Sequence, residues 1–212
     1  YNEIFPSKNF LVLAIKSNKI IDKKYIDNLN KINDKLNKIN NVESTFSILN
    51  APILLLNNIN LSDLSSNEIE NINNSKNELE LILNEFSNSP IYQNQIINLN
   101  KNISSIIIFI DKNINFEKAK KEKKIQNLNI KKIDKIYNFE KNKNKKIKEK
   151  LIKDIREVLY LKKNNYEYFL GGIDMISSDT INYIKKDIVI FGFSVILIIL
   201  IILFFIYRSI KW

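Results

Sequence analysis

The 212 residues suffice for one domain of ordinary size, or two small ones, with 45% hydrophobic and 26% charged residues, a balance that excludes a wholly disordered chain. Cysteine and histidine are both absent, which removes disulfides, thiolate or imidazole metal sites, Cys and His nucleophiles and the usual general base at neutral pH. The net charge of +10 is almost all Lys, with Arg156 and Arg208 the only arginines, so the bidentate reader of bases and phosphates is nearly missing and nucleic acid is not expected as a partner.

Gly and Pro number three each, so long regular elements with few tight turns are expected. Ile, Lys and Asn dominate throughout, as in an AT-rich genome, which weakens any argument from a single Lys or Asn. The first residue is Tyr1, and no charged start leads into a short apolar run; the chain reads as a piece of a longer protein.

In chain order, FLVLAIK (10–16) has the composition of a buried strand. Ile26, Leu29, Ile32, Leu36 and Ile39 follow at three- and four-residue spacing, one apolar stripe of a helix that Asn40 and Asn41 can end by adopting left-handed angles. VESTFSIL (42–49) reads as a second strand, with Val42, Ser44, Phe46 and Ile48 on one face, and the two strands of such a unit can lie parallel. The Asn- and Ser-rich stretch 57–77 reads as a loop. Asn77 is a candidate cap for a short helix carrying Leu79, Leu81, Ile82, Leu83 and Phe86, which Pro90 ends.

Residues 95–99 and 103–110 flank the turn-forming triplet Asn100, Lys101 and Asn102, and together read as a hairpin. The Lys-rich stretch 116–146 reads as a solvated helix or extended loop. Ile147, Leu151, Ile152, Ile155, Val158 and Leu159 mark a second amphipathic helix, and YEYFL (166–170) reads as a strand. Gly171 and Gly172 then permit a sharp change of direction, as a strand end more than as a hinge, and a connecting helix from about Met175 runs on into the membrane span.

That span, 188–207, is uncharged and consists of Ile, Val, Leu and Phe except for Gly192, Ser194 and Tyr207. As a helix it rises about 30 Å, the thickness of a bilayer core. Each apolar side chain favours insertion, by on the order of −5 to −10 kcal/mol in all. Lys185 and Lys186 precede it and Arg208 and Lys211 follow, so charge counting leaves its orientation open; Tyr207 and Trp212 suit the headgroup level. Asp187, at the entrance, reads as a solvated residue at that level rather than as a coupling group. The pattern as a whole predicts an α+β fold of ferredoxin-like type, four antiparallel strands with helices on one face, followed by one C-terminal transmembrane helix.

Several segments, in order over almost the whole chain, resemble the RND superfamily of transporters, in particular the branch of mycobacterial large membrane proteins and hopanoid-lipid exporters. FPSKNFLVLAIK resembles the first strand after the family's first membrane helix, VESTFSILNAP a strand ending in Pro, and INLNKNISSIIIFI the central hairpin. The fullest likeness is FLGGIDMISSDTINYIKKD, the span, and the exit YRSIK. Tyr207 stands where the family more often has Phe, and Asn40 and Asn41 where it often has Pro-Gly.

The resemblance implies that 1–186 form an extracytoplasmic porter domain, 187–208 a transmembrane helix and 209–212 the start of a cytoplasmic segment. It further implies a multi-pass exporter in a bacterial inner membrane, driven by proton flow through carboxylates on other helices, with a lipid or other hydrophobic compound as substrate. The partners it implies are the membrane and the rest of the transporter polypeptide, and it allows a homo-oligomer. The alternative is a tail-anchored tether or coiled-coil adaptor with a cytosolic N-terminal region, Ile125, Leu128, Ile133 and Ile136 lying on its interaction helix. No acidic pair has calcium-loop spacing and no Gly-x-x-x-x-Gly-Lys occurs, so the chain is not read as an enzyme. No catalytic, cofactor-binding or metal-ligating residue is assigned and no cofactor is expected. Asn-x-Ser sequons at Asn60 and Asn102 are expected by chance in so Asn-rich a chain.

Overall fold

A computed structural model of the chain describes residues 9–57, 70–125, 131–160 and 166–207. They form two compact units, Tyr1–Gly172 and Ile173–Trp212.

The first unit is built on β1 (Asn9–Ser17), whose alternating side chains bury Leu11, Leu13, Ile15 and Ser17 on one face. Burying such an aliphatic side chain contributes about 1.5–3 kcal/mol, so this strand anchors the core. Asp22 opens α1 (Lys23–Leu36), its carboxylate accepting the Tyr25 N–H at 2.7 Å. The helix lays Tyr25, Ile26, Leu29, Ile32 and Leu36 on the sheet. It ends at Leu36 with Asn37 as cap, so Ile39 falls outside it, while Asn41 does take left-handed angles (φ 70°) in the turn that follows.

β2 (Val42–Phe46) is shorter than the 42–49 reading, and its inward face differs. A bulge between Val42 and Ser44 shifts the register, so Thr45, not Ser44, is buried, its hydroxyl donating to Asn33 Oδ1 of α1 at 2.6 Å. α2 (Leu79–Asn88) buries Ile82, Leu83 and Phe86. Its N-cap is Glu78, which makes no side-chain cap bond, whereas Asn77 binds Ser75 and Asn57 instead of capping.

Glu85 on α2 performs a second task. Its buried carboxylate accepts the backbone N–H groups of Leu54 (2.7 Å), Leu55 (3.0 Å) and Leu56 (2.9 Å), fixing the turn after Pro52 against the helix. Most of the expected 57–77 loop lies outside the described residues; 70–77 within it are turns and coil.

β3 (Ile103–Ile110) follows a tight turn with Lys101 at φ 53°. The residues before that turn are not a second hairpin strand: they touch β3 through a single bridge, Ile97 to Ser104, with Asn98 Oδ1 instead accepting the N–H groups of Asn102 and Ile103. α3 (Ile114–Ile125) and α4 (Lys131–Tyr160) come next, so the Lys-rich stretch is helical wherever it is described, and the second amphipathic helix is the last third of α4. β4 (Tyr166–Gly171) completes the sheet.

The sheet order is β2-β3-β1-β4 with every neighbouring pair antiparallel, the ferredoxin-like arrangement expected for two strand–helix–strand units. β1 and β2 run parallel to each other with β3 between them. α1 and the Leu151, Ile152, Ile155 and Leu159 side of α4 cover one face. The pairing register places Phe10, Val12, Ala14, Ile107, Phe109 and Phe169 on the other, where Phe10 and Phe169 are about half exposed.

The second unit is a single helix, α5 (Ile173–Tyr207), whose residues 188–207 carry the apolar run.

Candidate functional site

A cleft of about 580 Å³ lies where the last turns of α4 pass the edge strand β4. Arg156, Leu159 and Tyr160 contribute from the helix, and Tyr166, Tyr168, Phe169 and Leu170 from the strand. The alternation of β4 sets its walls: Tyr166, Tyr168 and Leu170 pair across β1 with Ser17, Ile15 and Leu13 and so turn to the helix side, while Glu167 and Phe169 turn to the open face. Tyr166 stacks edge-on against Tyr25, with ring centroids 5.3 Å apart, and Tyr168 takes a hydrogen bond from Asn28 of α1 at 3.3 Å.

Burial pushes the Tyr166 phenol above its ordinary pKa, and the nearby Asp22 carboxylate adds to that rise, so this ring stays uncharged at neutral pH. Glu167 pairs with Lys16 of β1 at 3.2 Å on the far side of the strand. The cleft therefore offers aromatic and aliphatic walls, with the charged side chains Arg156 and Glu167 also among its lining residues. Such a surface suits a molecule with an apolar body. It lies within the second strand–helix unit, at the sheet edge, and not between the two units as a cleft of the whole sandwich would.

Arg156 was legible as unusual, being one of two arginines in a chain whose default cation is lysine. Its place beside β4 was not legible, because it depends on how α4 packs. Among the described residues no group of three Asp or Glu side chains stands close enough to hold a metal ion.

α5 is the second functional element. It is long and apolar enough to cross a bilayer, with a mean hydropathy of 3.4 over its most apolar window and none of that window buried. A soluble core helix of this composition would be covered by protein, whereas here Ile190, Phe191, Phe193, Ile196 and Phe205 stand open. Ser194 returns its hydroxyl to the Ile190 carbonyl at 2.8 Å, so the one serine within the run is satisfied inside the helix. Lys185, Lys186 and Asp187 lie on the same continuous helix just before the apolar run. Arg208 and Trp212 lie outside the described residues.

A four-stranded antiparallel sheet followed along the chain by a helix long and apolar enough to cross a membrane is the arrangement that the resemblance to RND transporters implies. The model of the MMPL family matches residues 63–211, from before α2 through the whole of α5, and the chain belongs to that family. No curated protein and no solved structure matches it. The all-helical tether expected as the alternative has no support from either the four-stranded sheet or the family match.

Proposed function

We propose that the first unit is the extracytoplasmic porter domain of a proton-driven exporter of lipids or other hydrophobic compounds in a bacterial inner membrane, and that the α4–β4 cleft is where substrate meets it. The observation that carries this reading is the aromatic cleft on a sheet whose last strand runs through Gly172 into α5. Cleft residues supply apolar contact; proton flow enters through carboxylates on other membrane helices of the transporter. The run 188–207 carries no ionisable side chain able to relay a proton, and one helix cannot enclose a path across a bilayer, so the working partner of this domain is the rest of the transporter polypeptide.

Reconstitution tests the proposal. The 212-residue chain in liposomes under a proton gradient moves no fluorescent lipid, while the full-length transporter does. Replacing Leu170 by Asp in the full-length protein puts a charge into the apolar wall and lowers export by at least tenfold with membrane insertion unchanged. Gradient-dependent movement by the isolated chain, or unchanged export by the Leu170 variant, would sink this division of labour.

A further inference from the structure

The first half of α4 does not join the core. Its buried side chains begin at Leu151, and before that it packs on α3, through Phe116 against Tyr137 (6.0 Å between centroids), Lys123 over the Tyr137 ring (4.5 Å) and Lys123 to Asp134 (2.8 Å). Away from α3 it presents a different surface. At 100° per residue, Lys132, Lys135, Ile136, Phe139, Lys143 and Lys146 fall within an arc of about 100°, and all six are exposed. Phe139 is 66% exposed at the centre of four ammonium groups. The only acids between Lys131 and Lys146 are elsewhere on the helix: Asp134 is held by Lys123, and Glu140 is partly covered.

A helix face with lysines flanking an exposed aromatic is the pattern of a segment lying in a membrane interface, the ring entering the acyl boundary while the lysines meet phosphates. We infer that this face of α4 rests on an anionic phospholipid surface, that of the bilayer in which α5 is anchored. The charge decides the occupant. Lysine suits phosphate as a flexible point charge, an acidic protein partner gives Phe139 no apolar medium, and the lack of arginine disfavours nucleic acid. This inference requires α5 to cross a membrane but not that the α4–β4 cleft bind substrate.

The absence of cysteine makes the test direct. Asn142→Cys, exposed at the edge of the stripe, is labelled with an environment-sensitive fluorophore in the full chain, which is reconstituted into vesicles of phosphatidylcholine alone or mixed with phosphatidylglycerol. The expected result is a blue-shifted emission, quenched by lipids brominated on the acyl chain, in the mixed vesicles only and reversed by high salt. Each of K132Q, K135Q, K143Q and K146Q lowers the ratio of docked to undocked protein about fivefold. Lys and Gln have similar helix propensity, so circular dichroism stays unchanged. F139S abolishes brominated-lipid quenching.

Equal emission in the two vesicle types, or emission indifferent to the lysine variants, overturns the inference and leaves a solvated helix face. A third arm separates a bilayer surface from a site for one lipid molecule. Water-soluble short-chain phosphatidylglycerol, added below its micellar concentration to protein in pure phosphatidylcholine vesicles, leaves the emission unchanged; if it reproduces the full shift, the face binds single anionic lipids and the bilayer reading is wrong.

Discussion

Two side chains show how single residues are constrained here. The Tyr25 phenol, buried under the sheet, donates to the Ile15 carbonyl at 2.9 Å, which leaves Ser104, 2.7 Å away, to donate to the phenol oxygen. Burial holds Tyr25 protonated well above the ordinary tyrosine range, and burial together with the Glu85 carboxylate pushes Tyr92 up to about 12. The folded pKa values exceed the unfolded ones. The stabilisation from both phenols is thus complete below about pH 10 and is lost as pH rises toward the folded values. Urea unfolding of the chain in mild detergent should therefore show a midpoint that falls above about pH 10. Tyr25→Phe should lower stability by about 1–2 kcal/mol at pH 7, by stranding the Ile15 carbonyl and Ser104, and should make the alkaline decline shallower.

Gly172 is the sharper case. Its φ of +143° belongs to glycine, and a Cβ there would stand 2.6 Å from Leu11 Cδ2 and 3.3 Å from the Leu11 Cα. Gly171 has nothing closer than 3.9 Å. Gly172→Ala is predicted to cost about 2 kcal/mol or more, and Gly171→Ala less than about 0.5 kcal/mol, in the same unfolding assay. From the sequence the two glycines were indistinguishable, since only the pairing of β4 with β1 decides which one meets Leu11.

At the scale of elements, what the sequence revealed follows from how local the determinants are. The α1 stripe and the apolar composition of β1 are properties of consecutive residues, and both elements formed where expected, Ile39 excepted. β2 misled because a bulge is decided by its partner strand: one extra residue, Glu43, swaps the faces of all that follows. The segment before Lys101 had strand composition, yet its pairing with β3 stops at the Ile97–Ser104 bridge, while the Asn98 side chain binds the backbone of the turn. The cleft was hidden for a related reason: its walls come from neighbouring elements, but whether they face each other depends on how α4 packs and on the pairing of β4 with β1. Glu85 looked like one charge among many on a short helix. Because its carboxylate serves three N–H donors, Glu85→Gln, whose amide nitrogen cannot accept, should destabilise the fold by about 2–3 kcal/mol and speed amide hydrogen exchange at Leu54, Leu55 and Leu56 ahead of β1. Equal exchange throughout would mean that another contact holds that run.

For the molecule as a whole, family membership together with a helix apolar enough to cross a bilayer identifies a membrane transport protein, and its sidedness is open to direct measurement. Cysteines at Ser44 and Ser209, in an otherwise cysteine-free chain, report it with a membrane-impermeant thiol reagent in intact cells. The proposed porter role requires labelling at Ser44 and protection at Ser209. The reverse pattern would place the sheet in the cytoplasm and end that reading.

α5 continues without interruption for 35 residues, about 52 Å, whereas a bilayer core occupies about 30 Å of it. About 22 Å of rigid rod, 173–187, therefore belongs to the same body as the embedded part. Mechanically it is a lever arm whose pivot is the headgroup layer. Membrane helices commonly tilt by about 20°, and a change of only about 10° at the pivot would carry the Ile173 end about 4 Å sideways, comparable to the width of a side chain. Any reorientation of the apolar part would thus be carried to the Ile173 end, with no break in the helix between them to absorb it.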